Sequence, residues 1–371
     1  MTLLSLLYVF ITTVGAQPVD HFPDKVDVRH ATGFTVEYHN HYKVVRVLNP
    51  WKGATETFTY VLTQKDTPRP DGYEGAQHVT VPIERFAALS ATYLTHVETI
   101  GEQESLVGLS SVGFVYADWV RKRVKNGETI ETGTDGGLNR ETIVALQPDL
   151  VMSYGSGNPA GDAHPKLMEM GIAAAVNGEF MEGSPLGRAE WVKFTAVFFN
   201  QEAAVEREFR KIEARYAELS QIGRKATDRP TVFSNISWQG LWHVSGGKSF
   251  IADLLEDSGA DYVWEDTDSE RSIPMEFESV LDRAQQADIW INTGAWTSKA
   301  DALKADERYG LFKAFRSGQM YNHVARTSPN GGNDYWESGV ANPHLVLADY
   351  LKIFHPDLLP DHELYYYRKL D

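Results

Sequence analysis

The sequence contains no cysteine, and this absence removes a whole set of chemistries. Without a thiol the chain has no disulfide, no thiolate metal site and no cysteine nucleophile. It also has no N-terminal cysteine for lipid modification, so the sequence predicts a free protein without a lipid anchor. A fold without disulfides is compatible with a protein of the bacterial periplasm, where a rigid core is sufficient.

Positive charge is scarce as well. The chain has 35 Lys and Arg against 51 Asp and Glu, which gives a formal net charge of −16. Nucleic-acid phosphates and anionic membranes repel such a chain, so neither is expected as a partner. The hydrophobic fraction of 42% and the charged fraction of 23% are typical of a globular protein. A length of 371 residues suits two domains of ordinary size.

No apolar run is long enough to cross a bilayer, which requires about 20 residues. The longest run covers residues 3–14 and is followed by Val14-Gly15-Ala16, a pattern of small residues typical of a signal cleavage site. We therefore expect a cleaved signal peptide at residues 1–16 and export to the periplasm. No Lys or Arg precedes the run, which leaves two alternatives: a true start codon upstream of the assigned one, or a buried strand.

Catalytic motifs are missing too, because the sequence contains neither G-x-S-x-G nor H-E-x-x-H. Gly247-Lys248-Ser249 resembles the end of a phosphate-binding loop, but Trp242 occupies the position of its first glycine. The sequence therefore predicts no enzyme, no cofactor and no dedicated metal site. The nearest approach to metal ligands is a scattered set: Tyr154, His164, His243 and the pair His39 and His41.

The pattern of the chain predicts an α/β fold. Alternating β-branched and aromatic residues near the start indicate an antiparallel β extension without chemistry of its own. Beyond it, short apolar strands alternate with helices in two successive halves, which is typical of mostly parallel sheets covered on both faces. The expected segments are the signal peptide (1–16), the N-terminal β extension (17–80), the first lobe (81–185), an interlobe helical segment (186–222) and the second lobe (223–371).

The interlobe segment contains the longest predicted helix. Asn200 is a suitable N-cap, and Gly223 with the following turn ends the helix. A narrow apolar stripe then follows helical periodicity. One interpretation is a surface helix of a single lobe, and the other is a rigid connection between two lobes. The stripe consists of Val205, Phe209, Ile212, Tyr216 and Leu219.

Two lobes joined in this way leave a cleft at the carboxyl ends of their strands. The loops that follow the predicted strands are rich in aromatic residues, which suit a bulky, partly apolar or chelated ligand. The alternative is that some of these rings fill the interior of a lobe. The cations nearest to this cleft in the sequence are Lys299 and Arg326. The candidate ligand-binding residues are Tyr93, Phe114, Tyr154, Trp238, Trp242, Trp296, Tyr335 and Trp336.

Each half also places a Glu at the start of a short helix and an Asp just before a buried strand. These residues are Glu141 and Asp149 in the first half, and Glu278 and Asp288 in the second. The repetition of this Glu and Asp at equivalent positions indicates that the two halves contain related βαβ units.

Several segments resemble the iron-complex and vitamin B12 periplasmic binding proteins of ABC importers, a class with a helical backbone. The similarity covers about residues 81–356, and its most specific part is the run Asn-Arg-Glu…Leu-Gln-Pro-Asp-Leu-Val. The segments that carry it are 81–90, 106–108, 138–151 and 247–255.

The resemblance implies two lobes bridged by one long helix, with the ligand held between them. It also implies one surface Glu per lobe that contacts the membrane permease, here Glu141 and Glu278. The function that it implies is delivery of a chelated metal to an ABC permease by a monomeric binding protein. A ferric siderophore is the favoured ligand, with cobalamin and haem as alternatives. A direct Zn²⁺ or Mn²⁺ binder and an α/β enzyme are less favoured.

Overall fold

The computed structural model describes residues 19–134 and 137–371. The predicted signal peptide at residues 1–16 lies outside the described residues. Within the described part, no helix combines the length and apolar character that crossing a membrane requires.

The predicted β extension forms a four-stranded sheet, in which the first three strands are antiparallel and the fourth pairs in parallel with the third. The parallel strand differs from the purely antiparallel prediction, because the chain crosses over before it pairs again. Apolar side chains of this sheet, Val45 and Tyr60 among them, belong to the core of the first lobe. Its strands are β1 (Phe34–Tyr38), β2 (Tyr42–Val47), β3 (Phe58–Gln64) and β4 (Gln77–Val81).

The first lobe contains a five-stranded parallel sheet of order β7-β6-β5-β8-β9. Asn139 caps α3 (Arg140–Leu146), because its side chain accepts a hydrogen bond from the backbone N–H of Thr142. The strands are β5 (Phe86–Ala88), β6 (Leu106–Leu109), β7 (Ile130–Glu131), β8 (Leu150–Ser153) and β9 (Ala174–Val176). The helices are α1 (Thr92–Thr99), α2 (Asp118–Asn126), α3 (Arg140–Leu146) and α4 (Ala163–Glu169).

The predicted interlobe segment consists of two helices, α5 (Pro185–Ala196) and α6 (Glu202–Gly223). The prediction of Asn200 as N-cap is wrong, because α6 begins at Glu202 after Gln201. Asn200 has a left-handed backbone with φ of 57°, and its side chain accepts a hydrogen bond from Lys43. The buried ammonium of Lys43 also bonds to Glu202 and to a carbonyl at the end of α5, which fixes the break between the helices.

The second lobe repeats the parallel sheet, with order β13-β10-β15-β16-β17 and only β17 antiparallel. A small antiparallel sheet of order β11-β12-β14 lies beside it. The strands are β10 (Thr231–Ser234), β11 (Ser237–Trp238), β12 (Leu241–Ser245), β13 (Asp261–Tyr262), β14 (Ser272–Met275), β15 (Ile289–Ile291), β16 (Met320–Asn322) and β17 (Arg368–Lys369). The helices are α7 (Phe250–Asp257), α8 (Phe277–Ala284), α9 (Lys299–Ala305), α10 (Lys313–Ser317), α11 (Asp334–Ser338) and α12 (Pro343–Phe354).

Helix α6 belongs to both lobes. Val205 and Phe209, near its start, pack in the core of the first lobe. Tyr216 and Leu219, near its end, pack in the core of the second lobe. The apolar stripe therefore connects two separate cores, and the prediction of two α/β lobes joined by a long helix is confirmed.

Candidate functional site

The two lobes meet at the carboxyl ends of their parallel strands, where a cavity of about 350 Å³ opens. We call it the aromatic pocket. Loops after β5, β6 and β8 form its first-lobe side, and the loop before α11 with the start of that helix forms the other side. Its lining residues are Leu89, Ser90, Ala91, Thr92, Ser110, Phe114, Thr134, Tyr154, Gly331, Asn333 and Trp336.

Three of the predicted ligand-binding residues come together in the aromatic pocket, namely Phe114, Tyr154 and Trp336. All three are exposed, with 59% of Trp336 accessible to solvent. Asn333 caps α11 by accepting a hydrogen bond from the N–H of Tyr335, and so fixes the helix that presents Trp336. A large exposed ring on a capped helix provides a stacking surface.

Four other predicted residues are buried. Trp242 is completely inaccessible, its indole N–H donates to the Ser234 carbonyl, and its ring stacks on Trp290. Its position on β12 directs it to the inner face, since alternate side chains of a strand point to opposite sides. A ligand in the cleft has no access to this ring. The remaining three are Tyr93, Trp296 and Tyr335, of which Tyr335 lines a narrow cavity of about 50 Å³ together with Trp336.

Trp238 is exposed at a different place. It precedes the two-residue turn Gln239-Gly240 of the β11–β12 hairpin, and both turn residues have positive φ, as such tight hairpins require. It lines none of the cavities described here. Contact between Trp238 and a ligand stays a prediction.

A larger cavity of about 530 Å³ adjoins the aromatic pocket, with Tyr154 lining both. We call it the side pocket. The N-terminal extension contributes Trp51 and Lys52 to it, although the sequence pattern indicated no chemistry for this extension. Its lining residues are Trp51, Lys52, Tyr154, Gly155, Ser156, Phe180, Met181, Glu182, Gly183, Arg188, Glu270 and Arg271.

Arg188 is the half-buried cation of the side pocket. Its guanidinium donates to the carbonyls of Glu182 and Phe180 at 3.0 and 2.9 Å and lies 3.7 Å from the centre of the Phe250 ring. Burial lowers its pKa to about 10, which leaves it charged at neutral pH. Lys52 and Arg271 at the rim are exposed and form no ion pair within residues 19–134 and 137–371.

The cations expected from the sequence lie elsewhere. Arg326 pairs with Asp334 at 2.5 Å and lies over the rings of Tyr116 and Tyr365. Lys299 lies over the ring of Phe315. Neither lines the aromatic pocket or the side pocket. Arg188, Lys52 and Arg271 were missed because the contacts that bring them together join distant parts of the chain.

The candidate metal ligands do not converge. The His164 ring stacks on Trp51, and burial lowers its pKa, whereas His39 stacks on Tyr42. His243 is exposed on β12. Among the residues that the structure describes, no group of three or more His, Cys, Asp or Glu side chains is arranged to hold a metal ion.

The two predicted docking residues occupy equivalent places in the lobes. Glu141 is exposed in the first turn of α3, and Glu278 is exposed in the first turn of α8. Glu278 forms a surface ion pair of 2.8 Å with Arg308. Their role in docking stays a prediction.

Comparison with known proteins places this geometry in a family. The profile described as periplasmic binding protein matches residues 86–326. Two relatives are uncharacterized lipoproteins of Methanocaldococcus jannaschii. One is 26% identical over 350 residues, covering 87% of this chain and 81% of its own, and the other is 24% identical over 328 residues, covering 84% and 80%.

Solved structures share the fold at low sequence identity. The ABC-type Fe³⁺-hydroxamate transport protein of Saccharomonospora viridis superposes with a TM-score of 0.56 at 18% identity, covering 75% of this chain and 96% of that one. The periplasmic haem-binding protein of Roseiflexus sp. RS-1 gives 0.56 at 18% identity, covering 74% and 99%.

The prediction of a free periplasmic protein without a lipid anchor is wrong, because both archaeal relatives are named lipoproteins. That prediction depended mainly on the lack of a cysteine for lipid modification, which is too indirect to define how a protein is held at a membrane. The family itself agrees with the prediction from the sequence, and its profile matches more than half of the chain. The chain therefore belongs to the periplasmic binding protein family.

Proposed function

We propose that this protein captures an anionic ferric chelate, a siderophore complex, between its lobes and delivers it to an ABC permease. The observation that carries the proposal is the group of three cations around the side pocket: Lys52, Arg188 and Arg271. Charge-assisted contacts of this kind are the usual means of holding carboxylate or catecholate groups.

The charge of the side pocket contrasts with the net charge of −16 for the whole chain. Two acidic residues also line it, but the Glu182 carboxylate already accepts hydrogen bonds from the N–H groups of Thr32 and Gly33 and from the indole of Trp191. Glu270 is exposed at the rim. The cations therefore favour an anionic ligand in a protein that otherwise repels anions.

Size and surface chemistry support the same class of ligand. Pockets for small molecules span about 300–1,000 Å³. The side pocket and the aromatic pocket, with about 530 and 350 Å³, lie within this range and share Tyr154. Aromatic rings at one end and cations at the other suit a chelate with flat faces and charged edges.

Haem is a second candidate, because its carboxylates would pair with the same cations and its flat ring would stack on Tyr154 or Trp336. Cobalamin would use the aromatic residues but would gain little from the cations. A direct Zn²⁺ or Mn²⁺ binder is less favoured, since the described residues do not group suitable ligands.

Calorimetric titration of the purified protein separates these ligands. The panel is ferric enterobactin as an anionic chelate, ferrioxamine B as a cationic chelate, hemin and cyanocobalamin. We expect the anionic ferric chelate to bind best, and Arg271→Gln to weaken it more than it weakens ferrioxamine B. Binding of cyanocobalamin alone, or equal effects of the substitution on both ferric chelates, would overturn the proposal.

A further inference from the structure

The loop between β2 and β3 carries the N-terminal extension to the ligand cavity. Trp51 in this loop stacks on His164 with 5.6 Å between ring centres. It also packs against Phe58 in a T-shaped arrangement with 5.8 Å between ring centres. Lys52 follows at the rim of the side pocket. Two adjacent residues thus give the extension an aromatic surface and a positive charge at the cleft.

The first lobe is shaped to receive the Trp51 ring. A Cβ atom at Gly155 would lie 2.4 Å from the ring, and one at Gly157 would lie 2.8 Å from it. Both distances are too short for any side chain, so glycine allows the indole to lie on the loop after β8. Asp162 stiffens this loop by accepting hydrogen bonds from the N–H groups of Ser156 and Gly157 at 3.0 and 3.1 Å.

Hydrogen bonds fasten the start of the extension to α5. Three successive N–H groups, of Arg29, His30 and Ala31, donate to the buried carboxylate of Glu190 on α5. Carboxylate acceptors of backbone N–H groups form strong, directional bonds. Together with the ring contacts of Trp51 with His164 and Phe58, these bonds hold the extension in a preorganised position, which reduces the entropic cost of binding.

This wall lies outside residues 86–326, which the family profile matches. We propose that the N-terminal extension is a functional wall of the ligand site and selects which chelates bind. Trp51 stacks on a flat arm of the chelate, and Lys52 pairs with an anionic group on it. The inference rests on the proposed function and adds the residues that determine its selectivity.

Lys52→Glu tests the charge of this wall without disturbing the fold, because the side chain is exposed and unpaired in the described part of the chain. The matched control is Lys125→Glu, an exposed lysine of α2 that lines neither pocket. We expect Lys52→Glu to weaken ferric enterobactin about fivefold at low salt and less at high salt, because mobile ions screen an exposed charge. Ferrioxamine B binding should not weaken, and Lys125→Glu should leave both affinities unchanged.

Trp51→Ala removes the stacking surface. Gly155→Ala displaces the same ring, because the added methyl group would occupy the space where the ring lies. Each should weaken ferric enterobactin about tenfold. Combined, they should weaken it no more than Trp51→Ala alone, because the added methyl group then has no ring to displace. Trp119→Ala is the control for loss of packing, because it removes a half-buried tryptophan from a separate cavity. This variant should bind ferric enterobactin with normal affinity.

The outcomes separate this inference from the proposed function. If wild-type protein binds ferric enterobactin and the Lys52 and Trp51 variants bind it equally well, the extension is only structural and the inference is overturned. If wild-type protein binds no ferric chelate, both proposals are overturned. Weakening by Trp51→Ala and Trp119→Ala to the same degree would also overturn the inference, because it would indicate a loss of packing alone.

Discussion

The side chain of Glu337 in α11 accepts a hydrogen bond of 2.6 Å from the backbone N–H of Tyr116, and this bond joins the second lobe to the first. The N–H of Ala117 donates to the same carboxylate at 3.0 Å. The backbone carbonyl of Glu337 in turn accepts a hydrogen bond from the Thr95 hydroxyl of α1. A single buried residue therefore forms much of the polar contact between α11 and the first lobe.

Burial raises the pKa of Glu337 from 4.5 to about 7, despite the opposing effect of the two N–H donors. Because the folded-state pKa is the higher one, the folded protein binds more protons than the unfolded chain between these values. The free energy of unfolding should therefore fall as pH rises from 4.5 to about 7. Glu337→Gln should remove this part of the pH dependence in urea denaturation at pH values across the window.

Glu169→Gln is the control, because Glu169 is exposed on α4 and is not among the groups that shift the pKa of Glu337. It removes the same formal charge without a buried carboxyl group. If wild-type protein and Glu337→Gln lose stability in parallel as pH rises, Glu337 does not titrate in this window.

A substitution that disrupts the middle of α6 should destabilise both lobes, because this helix contributes to both cores. Ala214 is exposed and lies between Phe209, in the first core, and Tyr216, in the second. Ala214→Pro removes a helical hydrogen bond and should lower the free energy of unfolding by about 3 kcal/mol or more. Hydrogen exchange should accelerate in the strands of both sheets.

Ala214→Gly provides the milder comparison, with a loss of about 1 kcal/mol and the same distribution between the lobes. Faster exchange confined to a single sheet in the Ala214→Pro variant would show that α6 does not couple the lobes.

The buried pair of Lys43 and Glu202, 2.6 Å apart, should make the N-terminal sheet part of the same cooperative unit. Lys43→Met leaves the Glu202 carboxylate buried without its cation and should cost about 3–5 kcal/mol. Lys65→Met breaks the exposed pair with Glu84 and should cost less than about 1 kcal/mol. Urea denaturation measures both, and similar losses would contradict a buried, coupled pair.

Glu141→Lys combined with Glu278→Lys should abolish import while leaving ligand affinity unchanged, because both side chains lie on exposed helix starts away from the pockets. The measurement is uptake of a labelled ferric chelate through the cognate permease. A control with Glu169→Lys and Glu256→Lys makes the same charge change on each lobe. Equal uptake by both double variants would refute docking through Glu141 and Glu278.

Local sequence patterns were sufficient to predict the longest helix. The stripe that includes Val205 and Phe209 predicts α6 because helical periodicity is a property of neighbouring residues. The start of α6 was misplaced because Lys43, far away in the sequence, determines the conformation of Asn200. Tertiary contacts of this kind override a capping preference.

The site was harder to predict than the fold. Trp242 and Trp336 both occur near predicted strand ends. The pairing of β12 with β14 places Trp242 in the core of the second lobe, whereas α11 holds Trp336 in the cleft. The contact of Trp51 with Gly155 joins the extension to the loop after β8, so no local pattern reveals it. Composition suggested an aromatic site, but topology determines which rings reach it.

The same two tryptophans give opposite expectations for substitution. Trp336→Ala removes an exposed ring from the aromatic pocket and should weaken binding of the preferred chelate by about 1–3 kcal/mol, with little change in stability. Trp242→Ala leaves a cavity among Phe233, Trp290 and Phe312 and should lower the free energy of unfolding by about 3–5 kcal/mol. Calorimetric titration and urea denaturation of each variant measure the two effects separately. Normal affinity in Trp336→Ala would remove this ring from the site, and unchanged stability in Trp242→Ala would contradict its place in the core.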